Sequence, residues 1–181
     1  MVAPRWTFKP GSSTAPQWDY GFSRFANQLQ DFSPVFEEIL KDFKKGEIEQ
    51  FRTEGAYGSG GWKKLSKDYF KWKEEHKPGM PILVFSGLLM KAATNPKSTI
   101  TKDQLLITID DSGDYTVFLK TKGTVTRHKP AVAGYHQSGA GHLKKRPVIQ
   151  LPKSQVVRWQ KIFQSYMVEA TRGGPFGRKV A

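Results

Sequence analysis

Four histidines, a group of carboxylates, one Ser-Gly step and a glycine-rich run are the residues of this chain whose types could do chemistry. No two of His76, His128, His136 and His142 have the spacing of a zinc motif. The chain has no Cys, which removes thiolate metal sites, a Cys nucleophile and any disulfide framework. His136 and His142 flank Gly139-Ala140-Gly141, where a turn histidine held by a backbone hydrogen bond is the expectation. Asp103, Asp110, Asp111 and Asp114 gather around Ser112-Gly113, a setting in which Asp side chains cap backbone N–H groups. Ser86-Gly87 lacks the leading glycine of a Gly-x-Ser-x-Gly nucleophile elbow. The run from Gly55 to Gly61 holds four Gly in seven residues, yet no Lys-Ser or Lys-Thr pair closes it and no strand pattern precedes it. It reads as a loop ordered by a neighbour. The expectation is a protein that is not an enzyme and holds neither cofactor nor metal.

The elements around these residues are mixed. Phe22, Phe25, Leu29 and Phe32 recur at helical spacing, and Ser33-Pro34 restarts the helix with Ser33 as N-cap and Pro34 in the first turn. Phe36, Ile39, Leu40 and Phe43 form its stripe, continuing through Ile48 to Phe51. Trp62, Leu65, Tyr69 and Trp72 are spaced 3-4-3, which predicts a core-facing stripe with Lys63, Lys64, Lys67, Lys71 and Lys73 on the solvated back. Ile82 to Phe85 is a short apolar segment, and Ser86 is the expected N-cap of a brief helix through Leu88 and Leu89. Leu105 to Ile109 and Tyr115 to Leu119 read as the two strands of one hairpin turning at Asp111-Ser112-Gly113-Asp114. Residues 121–134 read as a long loop and Tyr135 to Gly139 as a further strand. After Pro152 a last helix carries Val156, Trp159, Phe163 and Tyr166 on one face, with Ile162 beside them.

The fold class expected is α+β: a small antiparallel β-sheet packed against a long helix, with a C-terminal helix, long loops and an extended N-terminal arm. Residues 1–19 form the arm, which carries Trp6, Phe8 and Trp18 and either docks on another subunit or folds back on its own domain. Residues 20–171 form a single α+β domain, and 172–181 a basic tail with Phe176. Charge is pronounced: 29 Lys and Arg against 16 Asp and Glu give +13 and a pI of about 9.9. Such an excess favours a polyanionic neighbour. No segment approaches the roughly 20 apolar residues of a membrane span, so a membrane partner is not expected.

Four short blocks stand in a fixed order: Trp62 and Leu65; Ile82, Leu83, Ser86, Gly87 and Leu89; His136, Gln137 and Gly139; Arg146 and Pro147. With the terminal helix, this order resembles the phage virion morphogenesis, or tail completion, family over roughly residues 33–166. The segment between the hairpin and His136 is longer than the family pattern, and arm and tail lie outside it. The resemblance implies a structural virion protein at the head–tail junction, a homo-oligomeric ring of about six copies that joins and seals head and tail. Its partners would be adjacent neck and tail rings, such as head-closure and tail terminator or tail tube proteins, and genomic DNA in the channel. It would be assembled in the host cytoplasm. Subunit or partner contacts are then expected at Trp6, Phe8, Trp18, Tyr57, Lys122, Arg127, His128, His136, Gln137 and Phe176. Lys63, Lys64, Lys67, Lys144, Lys145 and Arg146 are the expected DNA-facing residues. The alternative is a basic nucleic-acid-binding module that contacts DNA or RNA through Lys and aromatic surfaces.

Overall fold

The computed structural model describes residues 29–119, 123–140 and 143–172; the expected arm, the stretch from 20 to 28 and the tail beyond Arg172 lie outside the described residues. The chain is α+β, with a long helix near each end of the described region and two small antiparallel sheets between them.

Helix α1 (Ser33–Arg52) has a proline in its first turn, as expected, but Ser33 does not cap it. The Ser33 N–H instead donates to Asp31 Oδ1 at 2.9 Å, and the Phe32 N–H donates to the Lys102 carbonyl at 2.7 Å. Its inward face is Val35, Ile39, Phe43, Gly46, Glu47, Gln50 and Phe51, while Ile48 is exposed. The glycine-rich run, expected to be irregular, holds one helical turn, α2 (Ala56–Ser59), between Gly55 (φ 86°) and Gly60 (φ 77°) in left-handed conformation. Side-chain acceptors on α1 and just beyond it fix that turn: Gln50 Oε1 takes the Gly58 N–H at 3.0 Å and Thr53 Oγ1 the Tyr57 N–H at 2.9 Å. Gly55 is required twice over, because a Cβ there would also lie 2.5 Å from the Trp62 ring.

Helix α3 (Lys67–His76) begins later than the aromatic spacing suggests, since Ser66 caps it by accepting from the Tyr69 N–H at 3.4 Å. Trp62 therefore lies in the preceding segment. The expected core-facing stripe is corrected: Tyr69 and Trp72 are 45% and 42% exposed, and the one buried residue of α3 is Lys73. Helix α4 (Leu88–Thr94) starts from left-handed Gly87 at the cap position expected for Ser86, whose Oγ still accepts from the Leu88 N–H at 3.4 Å.

The expected single hairpin is replaced by two. β1 (Lys97–Ile100) pairs with β2 (Leu105–Thr108), and β3 (Gly113–Leu119) pairs with β4 (Gly123–Lys129), both antiparallel. The Asp110–Gly113 stretch thus links two sheets: Asp110 Oδ1 accepts from Ser112, while the Asp111 side chain turns inward. Residues 121–134, expected to be loop, contain β4, and the strand expected at Tyr135 to Gly139 is helix α5 (Ala133–Ser138).

Helix α6 (Lys153–Arg172) lies along α1. Gln155 takes the inward position and donates to the Asp42 carbonyl at 3.2 Å, with Gly46 leaving room for it. That rotation leaves Val156, expected in the stripe, exposed. Asp42 also binds Arg158 at 2.9 Å and the Trp159 indole N–H at 2.8 Å. One core cluster joins Val35, Ile39 and Tyr166, with Phe32, Phe36, Leu105 and Phe163 around it, so the β1–β2 sheet meets the long helix through Leu105. A second joins Phe51, Trp62, Val84, Leu89, Ala93 and Val148 at the other end of α1. Among the described residues no helix is long and apolar enough to cross a membrane.

Candidate functional site

A cleft of about 540 Å³ opens above this second cluster, between α3, the segment before α4, β3, the end of β4, α5 and residues 143–146. Its walls are tied by side chains that bind distant backbone. Trp62 is buried, its ring packs edge-on against Phe51 at 5.2 Å, and its indole N–H donates to the Pro147 carbonyl at 2.7 Å. Arg146, 6% exposed, donates from Nε to the Lys63 carbonyl at 2.6 Å and from Nη2 to the Lys64 carbonyl at 3.1 Å. Its backbone N–H meets the His136 carbonyl at 2.9 Å. Gln137 grips residue 149 from both sides, donating to the Ile149 carbonyl at 2.8 Å and accepting its N–H at 2.9 Å.

Lys73, 3% exposed, closes the opposite wall by donating to the carbonyls of Met80, at 2.8 Å, and Pro81. Glu54 Oε1 holds the next residue, accepting the Ile82 N–H at 2.7 Å. Residues 81–84 then form a turn closed by the Val84 N–H on the Pro81 carbonyl, and its third position, which favours glycine, is Leu83 at φ 63°. A bulky residue in this region is strained by about 1 kcal/mol or more. The strain places a leucine side chain on the cleft lining where glycine would leave none.

Asp111, 1% exposed, organises the third wall. Its Oδ1 accepts the N–H groups of Val132 and Ala133 at 2.9 and 3.0 Å, capping α5, and its Oδ2 pairs with Lys129. Burial alone would raise its carboxyl, but the hydrogen bonds from Lys129, Ala133 and Val132 outweigh burial and hold it below the ordinary value. His136 is shifted down, by burial first and then by the charge of Arg146, so it is neutral near pH 7. Its Nδ1 is buried with no hydrogen-bond partner among the described residues. Burial likewise lowers Lys73 and Arg146. Outside the cleft, Trp72 stacks between Tyr69 and His76, which precede and follow it on α3, and lies 5.3 Å from the Phe85 ring.

The expected contact residues divide accordingly. His136 and Arg146 meet at the cleft, with Gln137 supporting it; Arg146 is corrected from a DNA-facing residue to a buried one, because its donors are spent on two carbonyls. Lys63, Lys64, Lys67, Lys144 and Lys145 are exposed, and the Arg146 bonds bring the 63–64 and 144–145 pairs together. Tyr57 sits elsewhere, its hydroxyl accepting from Arg158 at 2.9 Å. On the β3–β4 sheet, exposed His128 lies 2.8 Å from Asp114 and Arg127 pairs across from Tyr115. Trp6, Phe8, Trp18, Lys122 and Phe176 lie outside the described residues. Sequence reasoning missed Lys73, Leu83 and Lys129 as cleft residues. Among the described residues no cluster of His, Asp or Glu could hold a metal ion.

No family model, curated protein or solved structure matches this chain.

Proposed function

We propose that the protein is a structural component of a phage virion, of the tail completion type, which forms a ring at the head–tail junction. One observation carries the reading: the four sequence blocks that resemble that family are bound to one another at a single place. Trp62 holds Pro147, Arg146 holds Lys63 and Lys64, the Arg146 N–H holds His136, and Val84 and Leu89 pack with Trp62. Trp62, Gln137, Arg146 and Leu89 act on backbone or core, which suits a scaffold whose work is done by its edges. A ring of this kind needs heterologous contacts that close by rotation. Light scattering is expected to report a closed oligomer of about six copies, and deletion of residues 1–19 is expected to lower that mass while the circular dichroism of the domain is kept. A monomer at all concentrations, or an unchanged mass after deletion, refutes this arrangement.

A second reading, a nucleic-acid surface, is favoured by the convergence of exposed Lys63, Lys64, Lys144 and Lys145. If these four meet phosphates, replacing all with Gln flattens the slope of log binding constant against log salt by about 3 for single strands, at roughly 0.7 per contact. An unchanged slope leaves them as a solvated rim.

A further inference from the structure

We propose that the cleft is a docking site for an acidic peptide segment of a partner protein, which seats an apolar side chain among Leu65, Leu83, Val84 and Leu143 and turns a carboxylate toward Lys73 and Arg146.

The charge balance of the cleft is the first support. Four cations line it, Lys73, Lys129, Lys144 and Arg146, and no carboxylate does; Asp111, behind the wall, answers Lys129 alone. Lys73 and Arg146 are almost fully buried, and among the described residues neither has a carboxylate within ion-pair distance, though Glu54 and Glu74 lie near enough to act on the charge of Lys73. Their hydrogen bonds go to four backbone carbonyls, which are neutral. A desolvated charge without a counter-charge is costly, Arg146 is the cation here on which no carboxylate acts, and an incoming anion recovers Coulomb energy in a low-dielectric site. His136, on the same lining, adds an imidazole whose buried Nδ1 has no hydrogen-bond partner among the described residues.

The apolar lining is the second support. Leucine and valine side chains dominate, Leu83 among them at the strained turn position, and the volume lies in the range of about 300–1,000 Å³ typical of ligand sites. Nucleic acid fits less well. Single strands bind by stacking bases on open aromatic faces, and of the rings on the cleft Tyr69 and Phe85 are each stacked on Trp72 while Tyr115 meets Phe85 edge-on. The two buried cations are recessed below the exposed lysines that a phosphate backbone would meet.

Trp72 stacks on Phe85 of the cleft wall, so tryptophan fluorescence reports occupancy. The probes are a capped hexapeptide alternating glutamate with phenylalanine and leucine, its glutamine counterpart, and an oligothymidylate. The acidic peptide is expected to bind at least tenfold more tightly than the glutamine peptide, and the oligothymidylate is expected not to displace it. Leu143→Glu, at an exposed position on the cleft, is expected to weaken the peptide at least fivefold without changing the melting temperature. Arg146→Met is expected to weaken the peptide at least as much, with a lower melting temperature because the Lys63 and Lys64 carbonyls lose their donors, and Leu143→Glu decides the matter if it does not fold. No binding of the acidic peptide up to about 1 mM, equal binding of the glutamine peptide, displacement by the oligonucleotide, or an unaffected Leu143→Glu variant overturns the proposal. A monomer that still binds the peptide would refute the ring and leave the docking site standing.

Discussion

Glu47→Gln is expected to stabilise the protein at pH 9 by roughly 3 kcal/mol and to remove a decline in stability between about pH 4.5 and 8. Glu47 is 2% exposed on the inner face of α1, its Oε2 has no partner among the described residues, and burial raises its pKa from 4.5 to about 8. The sign follows from proton counting. Between those values the folded chain keeps the proton and the unfolded chain has lost it, so folding takes up a proton. Stability is fully present below about pH 4.5, falls by about 1.4 kcal/mol for each pH unit above it, and levels off past about pH 8. The ceiling is on the order of 5 kcal/mol, of which an amide left short of one hydrogen bond returns part. For a chain of this size the gain corresponds to roughly 6–12 °C in melting temperature at pH 9. Thermal unfolding of both proteins from pH 5 to pH 9 measures it: curves that run parallel would show that Glu47 ionises freely.

That glutamate also marks where sequence reading stops. The stripe of α1 was legible through Ile39, Phe43 and Phe51, because apolar residues at helical spacing have one economical place to go. Glu47 and Gln50 share that face, and a polar residue type carries no sign that its neighbours will bury it. On α3 the same logic misled. The 3-4-3 spacing of Trp62, Leu65, Tyr69 and Trp72 holds only if one helix spans them, and Ser66 starts the helix after two of them have passed. Trp62 reaches the core from an extended segment, Tyr69 and Trp72 stack on each other at the surface, and Lys73 goes inward to hold two carbonyls. In the β region only β2 and β3 were legible as strands; β1 and β4, polar and rich in Lys and Thr, were not, so neither pairing could be read. The block order pointed to the residues that hold the cleft together. The cleft itself was not legible, because its lining comes from stretches between residues 65 and 146 that only the fold brings together.

Asp111→Ala is expected to cost the most of any single substitution in this region, about 3–5 kcal/mol, which is a large share of the roughly 5–15 kcal/mol that holds a domain folded. The side chain does three jobs with two oxygens: it pairs with Lys129 and accepts the Val132 and Ala133 N–H groups that begin α5. Removing it leaves a lysine whose side chain is 18% exposed without its counter-charge, together with two orphaned donors. Asp111→Asn separates these effects, since an amide oxygen still caps α5 while the charge is lost, and roughly half the cost is expected. Lys129→Met alone leaves a buried carboxylate that keeps its two N–H partners, so the Asp111→Asn and Lys129→Met pair together should cost less than the sum of the two. Because the Asp111 pKa is held below the ordinary value, its contribution is present at neutral pH and is lost only as pH falls below about 4 through the folded-state pKa. This is the opposite slope to that of Glu47, so the two titrations are separable in one protein. Asp111→Asn keeps the start of α5 but frees Lys129, on the cleft wall, of its counter-charge, so where the domain remains folded it should strengthen the acidic peptide. Urea unfolding at pH 7 measures the stability term, and an Asp111→Ala variant within 1 kcal/mol of the parent would mean that the Lys129 pair behaves as a solvated surface bridge.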